Sequence, residues 1–308
     1  MLSNRNIFLE LIKPHFMHFV NIDGKRTDSE KFCPYQRQTE RCTMKNKKLA
    51  TSLQVGVNNI LTQPFSSPRN SRNKRPSIGR SIMYSTIDGY ENERLRNLIS
   101  RHEYHSRINL YEQNLNDDDI KIVVQWAINE KRCNELWLEQ NQITSVGASI
   151  IAKGLNNNST LMWLSLSSNH LDDHGIEVLA DVLTWHNSTL TTLALHATGI
   201  TDQSVKYLAE MLKRNRTLME LRISGNNITD RGVQLLANTL TYHNNTLRWL
   251  YLSKNPSIGD ACIDYLLEML GRNGKLQELA IDNCNLSTDG KQRLQTKALL
   301  KTSFTLKI

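Results

Sequence analysis

Apolar residues along the last two thirds of the chain recur in two alternating periods. Pairs of leucines two apart, as in Leu136 and Leu138 or Leu250 and Leu252, have the spacing of a strand with one buried face. Downstream of each pair the spacing changes to i, i+3, i+4, i+7, as in Ile176, Leu179, Ala180 and Leu183, and again in Val233, Leu236, Ala237 and Leu240. That is a one-sided amphipathic helix, in which the small Ala lets the helix lie close to the sheet. The whole unit reads LxxLxLxxNxL, complete from Leu161 to Leu171, and it recurs seven times. Its Asn slot is filled by Gln113, Asn141, Asn169, Thr198, Asn226, Asn255 and Cys284, at spacings of 28, 28, 29, 28, 29 and 29. The register predicts seven strands, at residues 107–110, 135–138, 163–166, 192–195, 220–223, 249–252 and 278–281. Helices between them make the pairing parallel.

The polar positions are as regular. Asn in the slot sits where the chain bends off the strand, and a buried amide there pairs otherwise unpaired backbone groups. Thr198 and Cys284 can do part of that job. Asp117, Ser145, Asp173, Asp202, Asp230, Asp260 and Thr288 are residue types favoured as helix N-caps, and a helix is expected after each. Asn158, Asn187, Asn215, Asn244 and Asn273 stand where helices end, and Asn tolerates the left-handed conformation that commonly closes a helix. Four of these also satisfy N-x-[ST], but the Thr that completes each match begins a strand, so they read as structural.

One strand and one helix in 28–29 residues cannot bury their own apolar face, so the units must stack. The expected fold is α/β: a right-handed solenoid, or horseshoe, with a parallel inner sheet and outer helices. This pattern resembles the ribonuclease-inhibitor type of leucine-rich repeat, which is similar to the repeat region of NOD-like receptors. The resemblance covers roughly residues 104–303 and implies a protein-binding role. The expected organisation is a largely disordered basic region at 1–88, a capping helix at 89–104, repeats over 105–303 and a terminal edge strand at 304–308.

Charge is unevenly placed. The chain carries +8 overall, yet residues 31–86 hold eleven Lys and Arg against Glu40 alone, and residues 87–308 come to −2. The high isoelectric point therefore belongs to the N-terminal segment. That segment is polar and without lasting periodicity, so disorder is expected, with weak nucleic-acid or anionic-membrane contact as its possible role. Five cysteines with no CxxC argue against a disulfide framework. No apolar run reaches about 18 residues. The expectation is a cytoplasmic monomer without a transmembrane segment.

No P-loop, GxGxxG, GxSxG or HExxH is present. Cys33 and Cys42 lack partner ligands, and His170 and His174 are separated by a turn, so neither pair reads as a metal site. No enzyme, cofactor or metal is expected. The leading function is a scaffold or sensor binding a protein on its concave face. The alternatives are a GTPase regulator resembling the Ran GTPase-activating protein, or a nucleic-acid- or membrane-associated adaptor acting through the basic segment. Residues flanking the LxL leucines point to the concave side. These give the candidate partner-binding set: Tyr111, Trp137, Trp163, His196, Glu220, Arg222, Trp249 and Tyr251. Trp163 and Trp249, three strands apart, are expected about 15 Å from each other, with Ser165, Ser167, Thr192, Ala194 and Ser224 as the floor between the two aromatic clusters.

Overall fold

The computed structural model describes residues 92–156 and 158–308. The expectations for residues 1–88, including the disordered basic segment, fall outside the described residues. Within them the chain alternates helix and strand. α1 (Glu93–Ser100) precedes β1 (Arg107–Asn109), then come α2 (Asp117–Val123), β2 (Glu135–Trp137), α3 (Ser145–Leu155), β3 (Trp163–Ser165) and α4 (Asp172–Trp185). β4 (Thr192–Ala194), α5 (Asp202–Arg214), β5 (Glu220–Arg222), α6 (Asp230–Tyr242) and β6 (Trp249–Tyr251) follow. The chain closes with α7 (Ile263–Arg272), β7 (Glu278–Ala280), α8 (Thr288–Leu299) and β8 (Thr305–Lys307). α2 runs on through Glu130 as a wider π-helical turn, which nothing in the sequence pattern announced.

All eight strands lie in one parallel sheet in chain order, each in register with its counterpart one repeat away: Glu135 pairs with Trp163, Leu164 with Leu193, Glu220 with Trp249. The middle residue of every strand, Ile108 in β1 and a leucine in the rest, therefore stacks on the next, and Ile108, Leu136, Leu164, Leu193, Leu221, Leu250 and Leu279 are all buried. Strands sit about 4.8 Å apart while helices need about 8–10 Å, so stacking must curve the sheet inward and leave its free side concave. α1 adds Leu95 and Ile99 to the same core at one end. At the other, β8 supplies the half-buried Leu306, and α8 buries only Gly290, Leu294 and Ala298.

The Asn slot behaves as a ladder. Asn226 Nδ2 donates to Leu195 O and Ile223 O, and its Oδ1 accepts from Thr198 N and Ile200 N in the preceding repeat. Asn169 does the same for Leu138 O, Leu166 O and Ile143 N. Thr198 Oγ1 reaches Leu195 O alone, and Cys284 Sγ makes a 3.6 Å contact to Leu252 O.

Two details of the helix ends differ from the sequence reading. First, the expected caps are not the N-caps; that position belongs to the residue before, or in α4 to Leu171, two before Asp173. Asn116, Thr144, Thr201, Thr229 and Ser287 accept from the first-turn N–H groups of their own helices. The aspartates bridge repeats instead. Asp117 Oδ1 accepts from Thr144 N and Gly147 N, Asp202 from Thr229, and Asp173 from Thr201 and Ser204. Each carboxylate thus serves the orphan donors of the next helix, where the dipole favours negative charge. Burial raises the Asp173 pKa, but the hydrogen bonds from Ser204 and Thr201 outweigh it and hold the carboxyl below its ordinary value.

Second, the helix-end asparagines are not left-handed. Asn215 and Asn273 have φ of −64° and −80°. They are buried and form a second ladder: Asn215 Nδ2 donates to Leu183 O, Asn244 to Leu212 O and Asn273 to Leu240 O, closing the preceding helix while Oδ1 accepts from the start of the next strand. The left-handed position is the residue before each Asn slot: Glu112, Gln140, Ser168, Ala197, Gly225, Lys254 and Asn283.

Candidate functional site

The concave side of the sheet carries two rows of side chains, one on each side of the buried leucines. The first runs Arg107, Glu135, Trp163, Thr192, Glu220, Trp249, Glu278; the second runs Asn109, Trp137, Ser165, Ala194, Arg222, Tyr251, Ala280, Lys307. Small residues on β4 are what let the rows communicate. With only Thr192 and Ala194 beneath it, Arg222 reaches across a strand, and its guanidinium lies 5.1 Å from the Trp163 ring centre and 5.0 Å from that of Tyr251. Trp163 in turn stacks on Trp137, with centroids 6.1 Å apart and planes 21° apart. The two expected aromatic clusters are therefore joined, and Arg222 is the bridge.

The strip extends beyond the expected residues at both ends. Arg107 caps Trp137 at 4.8 Å and pairs with Glu135 at 2.6 Å. Lys307 lies 5.7 Å over Tyr251, and its Nζ is 2.5 Å from Glu278 Oε1, a charge contact rather than an aligned hydrogen bond. Both cations could have been found by extending the two-residue period to the outermost strands. Glu220 anchors Arg222 through a 2.6 Å bond to Nε and is itself buried. Burial, with the charges of Glu278 and Glu220, drives the Tyr251 pKa upward, so its hydroxyl remains a donor.

The remaining candidates fall elsewhere on the face. Tyr111 lies past the end of β1 and donates from its hydroxyl to Gln140 Oε1 at 2.6 Å, so Arg107 rather than Tyr111 covers Trp137. Burial, then the charges of Glu112 and Glu139, raise the Tyr111 pKa. His196 sits half-buried over Gly225, whose missing Cβ leaves room for the ring: a Cβ there would stand 2.6 Å from Cε1. Trp249 is half-buried, between Glu220 and Glu278 in the first row. The indole N–H groups of Trp137 and Trp163 are sealed from solvent without a protein acceptor. Among the described residues, no three His, Cys, Asp or Glu side chains are grouped to hold a metal. No described helix is long and apolar enough to cross a membrane.

The architecture defines a class: the described region is a leucine-rich-repeat solenoid, similar to the ribonuclease-inhibitor type. Residues 157–180 and 214–237 match the family model described as Leucine Rich repeat. Ribonuclease inhibitor of Mus musculus is 31% identical over 171 residues, covering 56% of this chain and 37% of that protein. Ribonuclease inhibitor of Sus scrofa is 32% identical over 49% of this chain and 33% of its own length. NACHT, LRR and PYD domains-containing protein 14 of Homo sapiens is 29% identical over 59% of this chain and 17% of its own. The chain thus matches little more than a third of these relatives' length at most. Repeats of this kind generally mediate contacts between proteins.

Proposed function

We propose that the chain is a non-catalytic binding protein that holds a protein partner on the concave face, with Trp137, Trp163, Arg222 and Tyr251 at the centre of the contact. The carrying observation is the unbroken strip Arg107–Trp137–Trp163–Arg222–Tyr251–Lys307 on the side of the sheet that the core does not use. Trp, Tyr and Arg dominate interface hot spots, and here their mutual stacking pre-orders them, which lowers the entropy lost on binding. The relatives named ribonuclease inhibitor bear a protein-binding name, which supports the same class of role.

The test is to capture a partner from cell extract with the full chain and titrate it against variants. Trp163→Ala or Arg222→Ala should weaken binding by about 2 kcal/mol or more. Tyr265→Ala, an exposed position on α7, should leave it unchanged. Loss on Tyr265→Ala with both concave variants intact would move the functional face to the helices.

A further inference from the structure

We propose that the edge of the solenoid where its helices end binds an acidic polypeptide segment, independently of the concave face. Four successive helices end on Trp185, Arg214, Tyr242 and Arg272. The Arg214 guanidinium lies 4.5 Å from the Trp185 ring centre and that of Arg272 5.6 Å from Tyr242. Both rings are more than half exposed, at 57% and 55%. Between the ends of α4 and α5 opens a cleft of about 390 Å³ lined by Trp185, His186, Ser188, Arg214 and Arg216.

Cations at helix C-termini are expected from the helix dipole alone, and several here donate to helix-end carbonyls. Lys131 Nζ donates to Ser100 O and His102 O, Lys301 to Leu270 O and Asn273 O, and Arg216 to Leu212 O, Lys213 O and His243 O. Lys131 and Lys301 also stand over rings, those of Tyr104 and Phe304, but Arg214 and Arg272 bring a guanidinium rather than an ammonium to an exposed ring. A guanidinium held over a ring can still present N–H groups to a carboxylate; in Arg272 the Nε is already 3.1 Å from Glu268 Oε1, so the terminal N–H groups are the ones left for a partner. Arg132, Lys153 and Lys275 are exposed on the same edge. The opposite edge, where helices begin, carries Asp117, Asp118, Asp173, Asp202, Asp230 and Asp260. The near-neutral charge of this region therefore conceals two edges of opposite sign, and an acidic partner is steered to one and repelled by the other.

Spacing favours a polypeptide over a nucleic acid. Helices packed about 8–10 Å apart place Arg214 and Arg272 about 20 Å from each other, a span an extended peptide covers in about six residues. A phosphate backbone presents a fixed charge every few Å and cannot avoid Glu210 and Glu268, which lie beside Lys213 and Arg272, whereas a peptide can set uncharged residues opposite those two carboxylates.

Fluorescence anisotropy of a fluorescein-labelled glutamate-rich peptide against the full chain tests this, with single-stranded oligothymidylate in parallel. Residues 31–86 are present in every protein compared, so any peptide they hold remains as the same residual in each variant and is subtracted before the affinities are compared. The double variant Arg214→Glu/Arg272→Glu should weaken the peptide about tenfold or more, Trp185→Ala severalfold, and Trp163→Ala not at all. If the reversal lowers the thermal midpoint, Arg214→Gln/Arg272→Gln replaces it. Peptide affinity indifferent to the rim variants, equal loss on Trp163→Ala, or oligothymidylate binding more tightly through the same residues would overturn the proposal.

Discussion

The asparagine ladders and the concave floor are built from the same repeats, yet they settle their polar groups in different ways. Inside a ladder the accounting is closed: Asn226 spends both amide hydrogens and its oxygen on backbone groups of its own and the preceding repeat. On the floor, charges are held by one another and by rings, and two indole N–H groups have no acceptor. Burying a polar group without a partner costs more than a hydrogen bond gains. The ladders are therefore what the fold requires, and the floor is what the fold can spare for a ligand.

The sharpest way to break that contrast is through the slot itself. Asn226→Ala or Asn169→Ala strands several buried backbone groups at once and should cost about 1–3 kcal/mol. Thr198→Ala removes one bond to Leu195 O and should cost less. Denaturation midpoints measured for all three decide the matter, and equal small shifts would mean that the ladder is incidental to stability. Trp163→Ala should lower the midpoint less than Asn169→Ala while costing the partner more, because its ring stacks on Trp137 for only about 0.5–1.5 kcal/mol.

A second test compares one backbone position in two repeats. Gly225 holds φ +67° directly before Asn226, and Ala197 holds φ +52° directly before Thr198. Gly225→Ala pays the left-handed penalty of about 1–2 kcal/mol and also drives a Cβ into His196. Ala197→Gly relieves the same backbone strain and should be neutral or stabilising. Opposite shifts in thermal midpoint are the expected result.

What the sequence made legible follows from which signals are local. The strands were placed to within a residue because LxL repeats at a fixed stride and a slip would expose every leucine. The aspartates were misassigned because Thr201–Asp202 and Thr229–Asp230 are adjacent cap-forming residues, and composition does not say which one enters the helix. Their real partners lie about one repeat away, where no local pattern reaches. The left-handed position was missed because Glu112, Gln140, Ser168, Ala197 and Lys254 have no chemistry in common. On the floor, period two gave the rows, but the reach of Arg222 over β4 depends on Thr192 and Ala194 being small together. Their size was visible in the sequence; its consequence needed the register.

The smallest expected effect belongs to His196, whose polar ring lies on the floor but behaves in part as a ladder group. Burial lowers its pKa, the charge of Lys254 lowers it further, and a backbone hydrogen bond at Ser224 opposes both. The folded state therefore binds a proton less readily than the unfolded chain. Its contribution to stability is complete above the ordinary histidine value of about 6.5 and is lost as pH falls through the depressed folded value. Wild type should lose more of its thermal midpoint between about pH 7 and about pH 5 than His196→Gln, which keeps a polar side chain but cannot charge. The exposed histidines are common to both proteins and drop out of the difference. Parallel midpoint curves for the two would show that the ring titrates as freely as one in water, and that the floor under His196 is wetter than its packing against Gly225 implies.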